Sequence, residues 1–435
     1  MPLIIKAPHT PPETIAESVA ERAAILNAVE GKDFLLLPVE DPIEAITWAV
    51  ASFYSPLAVV PISARLPHVA LERLLAQLPA EKMIHLANLP KAARKIPLAE
   101  KSRERIWAVL FSSGSSGEQK GIALSGNALE ASARAHAAHL EMQSGNWLLN
   151  LPLFHVGGFS VVSRSFFLGT GMAIGSPKFS AEETRAWIES GEISGLSLVP
   201  TTLRRLLALP DLPFPKSLKT ILVGGAPLPD ELFTLAQARN FPVQATYGMT
   251  EHASQIATAK WPGSGLIPLP GVNISVDKAS EILVRSPCLA SGFFSAGQIQ
   301  PLPLEGGFFR TGDLGTFDGT ALAVHGRKSD LILSGGLNIF PAEIEKELAQ
   351  FPGLSDFAVT GLPDTEWGEV ACAAYVCLDR KLDTRELRAF LQERLDARKV
   401  PKHFVSLDYI PRSSLGKVIR TELKERLQKK ILAVE

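Results

Sequence analysis

The chain has 435 residues, 46% hydrophobic and 20% charged, with 44 Lys and Arg against 45 Asp and Glu for a formal charge of −1. This composition excludes a disordered chain and gives length for two or three domains with substantial cores. The balanced charge supplies no field for nucleic acid and no basic run for a membrane surface, so neither is expected as a partner.

In chain order, residues 1–11 show no signal-peptide pattern. The uncharged stretch 45–64 is long enough to raise the question of a membrane span. Pro56 and Pro61 interrupt it, and Ser52, Tyr54 and Ser55 dilute it, so a helix over 43–53 and a buried strand over 57–61 are expected instead. Apolar runs at 34–37, 106–111, 147–151, 195–199, 220–223 and 243–246 read as further strands. Amphipathic stretches at 67–78, 124–142, 181–189 and 229–239 read as helices between them. That alternation predicts an α/β fold built on largely parallel, helix-covered sheets. From about 256 to 325, short strands rich in Gly and Pro predict a small antiparallel or barrel-like part. Helices at 341–351 and 383–396, with strands at 358–360 and 371–378, predict a compact α+β unit at the end. The expected division is therefore 1–327 and 328–435, at Gly326-Arg327-Lys328-Ser329. Cys288, Cys372 and Cys377 lie in apolar contexts without metal-ligand spacing, which fits a reducing cytoplasm.

The segment Ser112-Ser113-Gly114-Ser115-Ser116-Gly117-Glu118-Gln119-Lys120-Gly121 follows a buried strand and precedes an expected helix. Glycines let backbone N–H groups crowd inward, hydroxyls add donors, and Lys120 adds charge, which suits an anion. Alone, such a stretch is more often a flexible loop. It is not a Walker A loop, because Gly121 follows Lys120. Tyr247-Gly248-Met249-Thr250-Glu251 ends a strand, where open parallel sheets bind ligands. A ring, a hydroxyl and a carboxylate there could stack a base, bond a phosphate and hold Mg²⁺. Asp313, in Thr311-Gly312-Asp313, could accept both hydroxyls of a ribose, or be a turn aspartate. Gly335-Gly336, flanked by apolar residues, also reads as a hairpin turn. Lys417 stands in a polar Ser/Gly loop before the last helix, where a solvated lysine is the ordinary case.

In this order the segments resemble the signature set of the adenylate-forming superfamily of acyl- and aryl-CoA synthetases, luciferases and peptide-synthetase adenylation domains. Val223-Gly224-Gly225-Ala226-Pro227 is similar to that family's adenine-pocket strand and turn. Leu151-Pro152-Leu153-Phe154-His155-Val156-Gly157-Gly158 is similar to its acyl-pocket mouth. The likeness runs from about residue 57 to 417. Gln119 stands where the family usually has Pro, and Ser115 and Ser116 stand for its threonines. The hinge position, often Asp or Lys, falls at or beside Ser329, next to Lys328.

The resemblance implies ATP, Mg²⁺ and coenzyme A as the small molecules handled, together with a carboxylic acid. It implies that Lys417 bridges the attacking carboxylate and the α-phosphate, Thr250 bonds that phosphate, and Glu251 holds Mg²⁺. Residues 112–120 would wrap the β- and γ-phosphates. Asp313 and Arg327 would bind the ribose, and Tyr247 with Gly248 and the edge formed by Gly224, Gly225 and Ala226 would hold adenine. Gly335 and Gly336 would swing towards a pantetheine tunnel. His155 would act at the acid, and Arg164, nine residues on in an apolar span, suits a second carboxylate. A surface arginine is the plain alternative. The Phe-His segment with a basic residue at this spacing is similar to the CoA-ligase branch serving menaquinone and phylloquinone synthesis, whose substrate is a diacid. A benzoate-type ligase and a stand-alone adenylation enzyme loading a carrier protein are the alternatives. A homo-oligomer is left open.

Overall fold

The computed structural model describes residues 4–6, 13–14, 16–63, 65–66, 68–91, 98–99, 101–113, 119–140, 144–176, 178–210, 217–259, 261, 263–295, 297–377, 382–412 and 416–432. Among them the chain forms four sheets. The first takes its centre from Phe34–Pro38, Ala58–Ile62 and Ile106–Ser113, which run parallel. All five residues of Ala58–Ile62 are buried, as expected of a strand covered on both faces. The second has a parallel centre of Met172–Ile174, Trp147–Leu149, Gly195–Leu198, Thr220–Val223 and Val243–Met249. A third, antiparallel sheet joins Asn273–Val276, Glu281–Arg285, Phe308–Phe317 and Leu322–Arg327.

One core draws Leu35, Val59 and Trp107 from the first sheet, Leu149, Met172 and Leu222 from the second, and Ile282 and Phe309 from the third. Leu129 of helix Gly126–Leu140 and Phe159 of helix Val156–Leu168 belong to it too. These two helices therefore lie in the layer that joins the sheets. Phe53 packs edge-on against Trp107 at 4.9 Å and Phe166 at 4.6 Å, anchoring the second of these helices. Helix Pro42–Phe53 starts on Asp41, whose carboxylate accepts from the Ile43 and Glu44 amides, with Pro at the first turn. The stretch that raised a membrane span is thus helix followed by buried strand. Among the described residues no helix is long and apolar enough to cross a membrane.

The fourth sheet is built by the end of the chain: Ile332–Ser334, Leu337–Ile339, Leu354–Asp364, Gly368–Cys377 and His403–Ser406. Its cores are filled only by residues after 331, such as Ile344, Val359, Leu387 and Leu423. It meets the rest through Lys346, whose Nζ lies 2.9 Å from Asp230 Oδ2. It also meets it at Gly416, where an added Cβ would come 3.4 Å from Thr201 Oγ1.

Three expectations are corrected. The helix expected over 124–142 begins only at Gly126: Gln119–Ser125 is a strand antiparallel to Ile106–Ser113. Ile122 and Leu124 alternate with small residues and bury themselves in the sheet, which outweighs helical spacing. The barrel-like part is narrower than 256–325, because Ser254–Ala259 pairs with the second sheet and Gly292–Ser295 with the first. The expected helix over 383–396 stops at Gln392.

Candidate active site

Tyr247 leaves its strand beside a register shift, between Tyr247 and Gly248. A Cβ on Gly248 would fall 1.9 Å from the Ser254 carbonyl oxygen, so only glycine lets the neighbouring strand approach there. The Tyr247 hydroxyl donates to Asp313 Oδ2 at 2.6 Å. Arg327 Nε lies 2.9 Å from Asp313 Oδ1, and an Arg327 Nη donates to the Thr311 carbonyl. Three motifs far apart in sequence therefore meet on one carboxylate, which is 5% exposed. Burial raises the Asp313 pKa, against the nearby charges of Arg327 and Lys417 and the Tyr247 bond. Burial, followed by the charge of Asp313, raises the Tyr247 phenol. Each carboxylate oxygen has a second lone pair, so Asp313 can still accept from a diol.

Lys417 arrives from the C-terminal unit. Its loop is tethered by Arg412, which pairs with Asp356 at 2.6 Å and donates to the Gly416 carbonyl at 2.7 Å. Gly416 adopts φ 77°, a left-handed conformation suited to glycine. The Lys417 ammonium sits within electrostatic reach of Arg327, Asp313 and Glu251, and part of the side chain stays open to the cleft. The protein mass around it lowers its pKa, Arg327 adds to this, and the two carboxylates oppose it. His155 caps the start of helix Val156–Leu168, with its ring 4.3 Å from that of Phe154. Burial, then the charge of Lys417, pushes the His155 pKa down to about 4. The following Gly158 is obligatory, since a Cβ would lie 2.2 Å from the Pro152 carbonyl oxygen.

Thr250 and Glu251 form a short 3₁₀ turn after Met249. Glu251 is a lone carboxylate, and among the described residues no cluster of three or more His, Cys, Asp or Glu could hold a metal. A lone carboxylate fits Mg²⁺ that arrives on a polyphosphate, because Mg²⁺ keeps waters and takes few protein ligands. Gly224 and Gly225 follow Thr220–Val223. A Cβ on Gly224 would press the Thr246 methyl at 2.8 Å, and Gly225 has φ 80°. Of the Ser/Gly segment, the Ser112 hydroxyl donates to the Lys120 carbonyl, and Ser113 pairs in register with Gln119. The Lys120 ammonium lies over the Phe293 ring. Gly114, Ser115, Ser116 and Gly117 lie outside the described residues. Gly335 and Gly336 make the turn between Ile332–Ser334 and Leu337–Ile339, with φ of 52° and 81°, and Gly335 packs on Trp367.

Arg164 is not a surface residue. It is 7% exposed, in a cluster with Ser160, His136 and Trp147. Sequence reasoning missed His136 and Gln255 of this cluster, and also Glu281. Glu281, 4% exposed, takes Lys328 at 3.0 Å, Arg310 at 2.7 Å and the Gly312 amide. The only local sign of Glu281 was a charged residue inside an apolar strand, Glu281–Arg285.

Residues 80–294 match the AMP-binding enzyme family, and residues 343–417 match the AMP-binding enzyme C-terminal domain. The chain is 34% identical over 346 residues to 2-succinylbenzoate–CoA ligase of Geobacillus kaustophilus, covering 75% of this chain and 70% of that one. The counterpart in Bacillus licheniformis is 36% identical over 332 residues, covering 72% and 69%. Among solved structures, o-succinylbenzoate CoA synthetase from Bacillus subtilis with its acyl-adenylate intermediate superposes with a TM-score of 0.85 at 28% identity, covering 97% of this chain and 95% of that one. The same enzyme with ATP and magnesium gives 0.86 at 27% identity, covering 98% and 97%. With Tyr247 and Arg327 both on Asp313 and Lys417 within electrostatic reach, the chain belongs to the AMP-binding enzyme family of adenylate-forming ligases.

Proposed function

We infer that this protein is an ATP-dependent carboxylate–CoA ligase, and that its acid is o-succinylbenzoate. The observation that carries the reaction class is the presentation of Lys417 by one unit to Asp313, Arg327 and Glu251 of the other. That is where an adenylating enzyme needs a cation. The acid's carboxylate attacks the α-phosphorus of ATP, the bond to the β-phosphate oxygen breaks, and acyl-adenylate and pyrophosphate form. A thiol then attacks the acyl carbon, AMP leaves, and the thiol proton goes to solvent.

Phosphoryl transfer of this kind calls for positioning and charge more than covalent help. Lys417 neutralises charge between the carboxylate and the α-phosphate. Thr250 bonds the same phosphate, and residues 112–120 bind the outer ones. Asp313 and Arg327 hold the ribose; Tyr247, fixed by its bond to Asp313, and the Gly224–Ala226 edge hold adenine. Glu251 holds Mg²⁺, which supplies charge neutralisation on the phosphates. His155, neutral at pH 7, lies beside the reacting carboxylate without competing with Lys417 for charge. Thiolysis requires Lys417 to withdraw, so residues 328–435 rotate about Ser329 and bring Gly335 and Gly336 to the thiol.

The choice of acid is supported by the relatives' substrate and by Arg164. A buried guanidinium with no carboxylate partner among the described residues is costly unless an anion arrives. Cys288, Cys372 and Cys377 form no disulfide, and Cys372 is raised by burial to about 12, which supports a cytoplasmic setting. The test is pyrophosphate release from a panel of acids, followed by CoA. Turnover with o-succinylbenzoate and CoA at least tenfold above benzoate supports the reading. Pyrophosphate release with benzoate alone would leave the ligase and overturn the diacid.

A further inference from the structure

Strands Glu281–Arg285 and Phe308–Phe317 run antiparallel, with Leu283 opposite Arg310 and Glu281 opposite Leu314. Between those pairs a single residue, Ile282, faces Thr311, Gly312 and Asp313. The ladder is therefore broken where the chain carries Asp313, and the amides there need other acceptors. The Asp313 amide donates to Thr311 Oγ1 at 3.1 Å, and that hydroxyl donates to the Ile282 carbonyl at 2.8 Å. The Gly312 amide donates to Glu281 Oε1 at 3.2 Å. Gly312 has φ 72°, a left-handed turn that sets the direction in which Asp313 leaves it.

Glu281 is buried and meets donors on both of its oxygens. Oε1 takes the Gly312 amide, while Oε2 takes Arg310 Nη2 at 2.7 Å and Lys328 Nζ at 3.0 Å. Burial works to raise the Glu281 pKa, but the bonds and charges of Arg310 and Lys328 outweigh it and hold the carboxyl below its ordinary range. It is therefore ionised at neutral pH. Only a carboxylate can accept on both sides. A carboxamide in either orientation turns its NH₂ on a donor. Two cations attract the oxygen more than one amide does. A glutamine here would give its oxygen to Arg310 and Lys328 and set its NH₂ against Gly312.

We propose that Glu281 is a positioning residue for nucleotide binding, which holds the Gly312 amide and thereby aims the Asp313 carboxylate at the ribose hydroxyls. Tyr247 and Arg327 hold the carboxylate itself, and Glu281 holds the backbone from which it springs. Glu281 stands in for the strand partner that the broken ladder leaves out. This rests on Asp313 being the ribose ligand, as inferred above.

The experiment compares KM for ATP and for 2′,3′-dideoxyATP, which lacks both ribose hydroxyls, in the wild type, Asp313→Ala, Glu281→Gln and the double variant. The first two test the ribose ligand itself. The wild type should prefer ATP about ten- to a hundredfold, the strength expected of hydrogen bonds to a charged group, and Asp313→Ala should bring the preference to within about twofold. No preference in the wild type, or full preference in Asp313→Ala, overturns the ribose ligand and this inference with it. Given that control, Glu281→Gln should raise KM for ATP and cut the preference to about threefold or less, with KM for the acid within about twofold. The double variant should match Asp313→Ala, because Glu281 acts through Asp313. A residue that merely packed the sheet would raise both nucleotide KM values together and leave their ratio intact. A wild-type ratio in Glu281→Gln overturns the proposal. If Glu281→Gln does not fold, hydrogen exchange of the Gly312 amide in the wild type decides. Protection of about a hundredfold or more supports the bond to Glu281, and exchange at the rate of an open loop overturns it.

Discussion

In the proposed reaction, Lys417 is the residue on which the two half-reactions part. Its charge would be needed while charge develops on the phosphoryl group, and only then. Lys417→Ala should lower adenylate formation by about 10²–10³, the typical loss for one preorganised donor, and leave thioester formation from supplied acyl-adenylate within about twofold. Equal losses in both steps would mean a structural role. Gly248 makes a second residue-scale prediction. Gly248→Ala puts a methyl 1.9 Å from the Ser254 carbonyl oxygen, so it should cost about 1–3 kcal/mol in a denaturation midpoint and raise KM for ATP by displacing Tyr247. Wild-type values for both would show that the strand yields freely. The sequence singled out Lys417, Glu251, Tyr247 and Asp313 because each stands in a distinctive local segment. It did not single out His136, Gln255 and Glu281, because what defines them is distant. His136 meets Gln255 across 119 residues, and Glu281 meets Lys328 across 47. No local spacing encodes either contact.

Among the elements, the short turn Lys328–Asp330 is where the two units join. Lys328 is tied backward, by its 3.0 Å pair with Glu281 of the third sheet. Asp330 is tied forward, by Arg420 of the last helix at 3.5 Å, and Arg420 in turn holds Glu345 at 2.9 Å. Ser329, exposed, lies between residues anchored to opposite sides, so the proposed rotation would concentrate on its backbone. Ser329→Pro, which fixes φ, should slow thiolysis more than adenylation, by about tenfold or more in single-turnover measurements. Thiolysis that keeps pace with the wild type would move the pivot elsewhere. Glu281→Gln should loosen Lys328 and narrow that difference. Elements with apolar runs, such as Ile106–Ser113 and Thr220–Val223, were readable from sequence because they are buried on both faces. Gln119–Ser125 was not, since an alternating strand that follows a Ser/Gly loop shares its apolar spacing with a helix start.

At the scale of the whole molecule, the fold buries bases that the unfolded chain leaves in water, and this sets a dependence of stability on pH. His136 is held well below the usual histidine range by burial and the Arg164 charge, His155 is lowered to about 4 by burial and Lys417, and His252 is lowered to about 4 by burial. Above about pH 7 all three are neutral in the folded and unfolded states, and none contributes. As pH falls through about 6.5, the unfolded chain takes up three protons that the folded chain refuses. The unfolded state then binds more protons, so stability drops as pH falls, by up to about 1.4 kcal/mol per pH unit for each histidine. Asp313 works the other way. Its pKa is raised by burial, so the folded state accepts its proton first and gains stability on acidification. That is one proton against three, so the loss wins. Urea midpoints of the ligand-free protein should therefore fall steadily from pH 7 to pH 5. In His136→Gln, which cannot take the proton in either state, the slope should fall to about two thirds. A midpoint that is flat over this range, or a slope untouched in His136→Gln, would show that His136 is protonated in the folded chain.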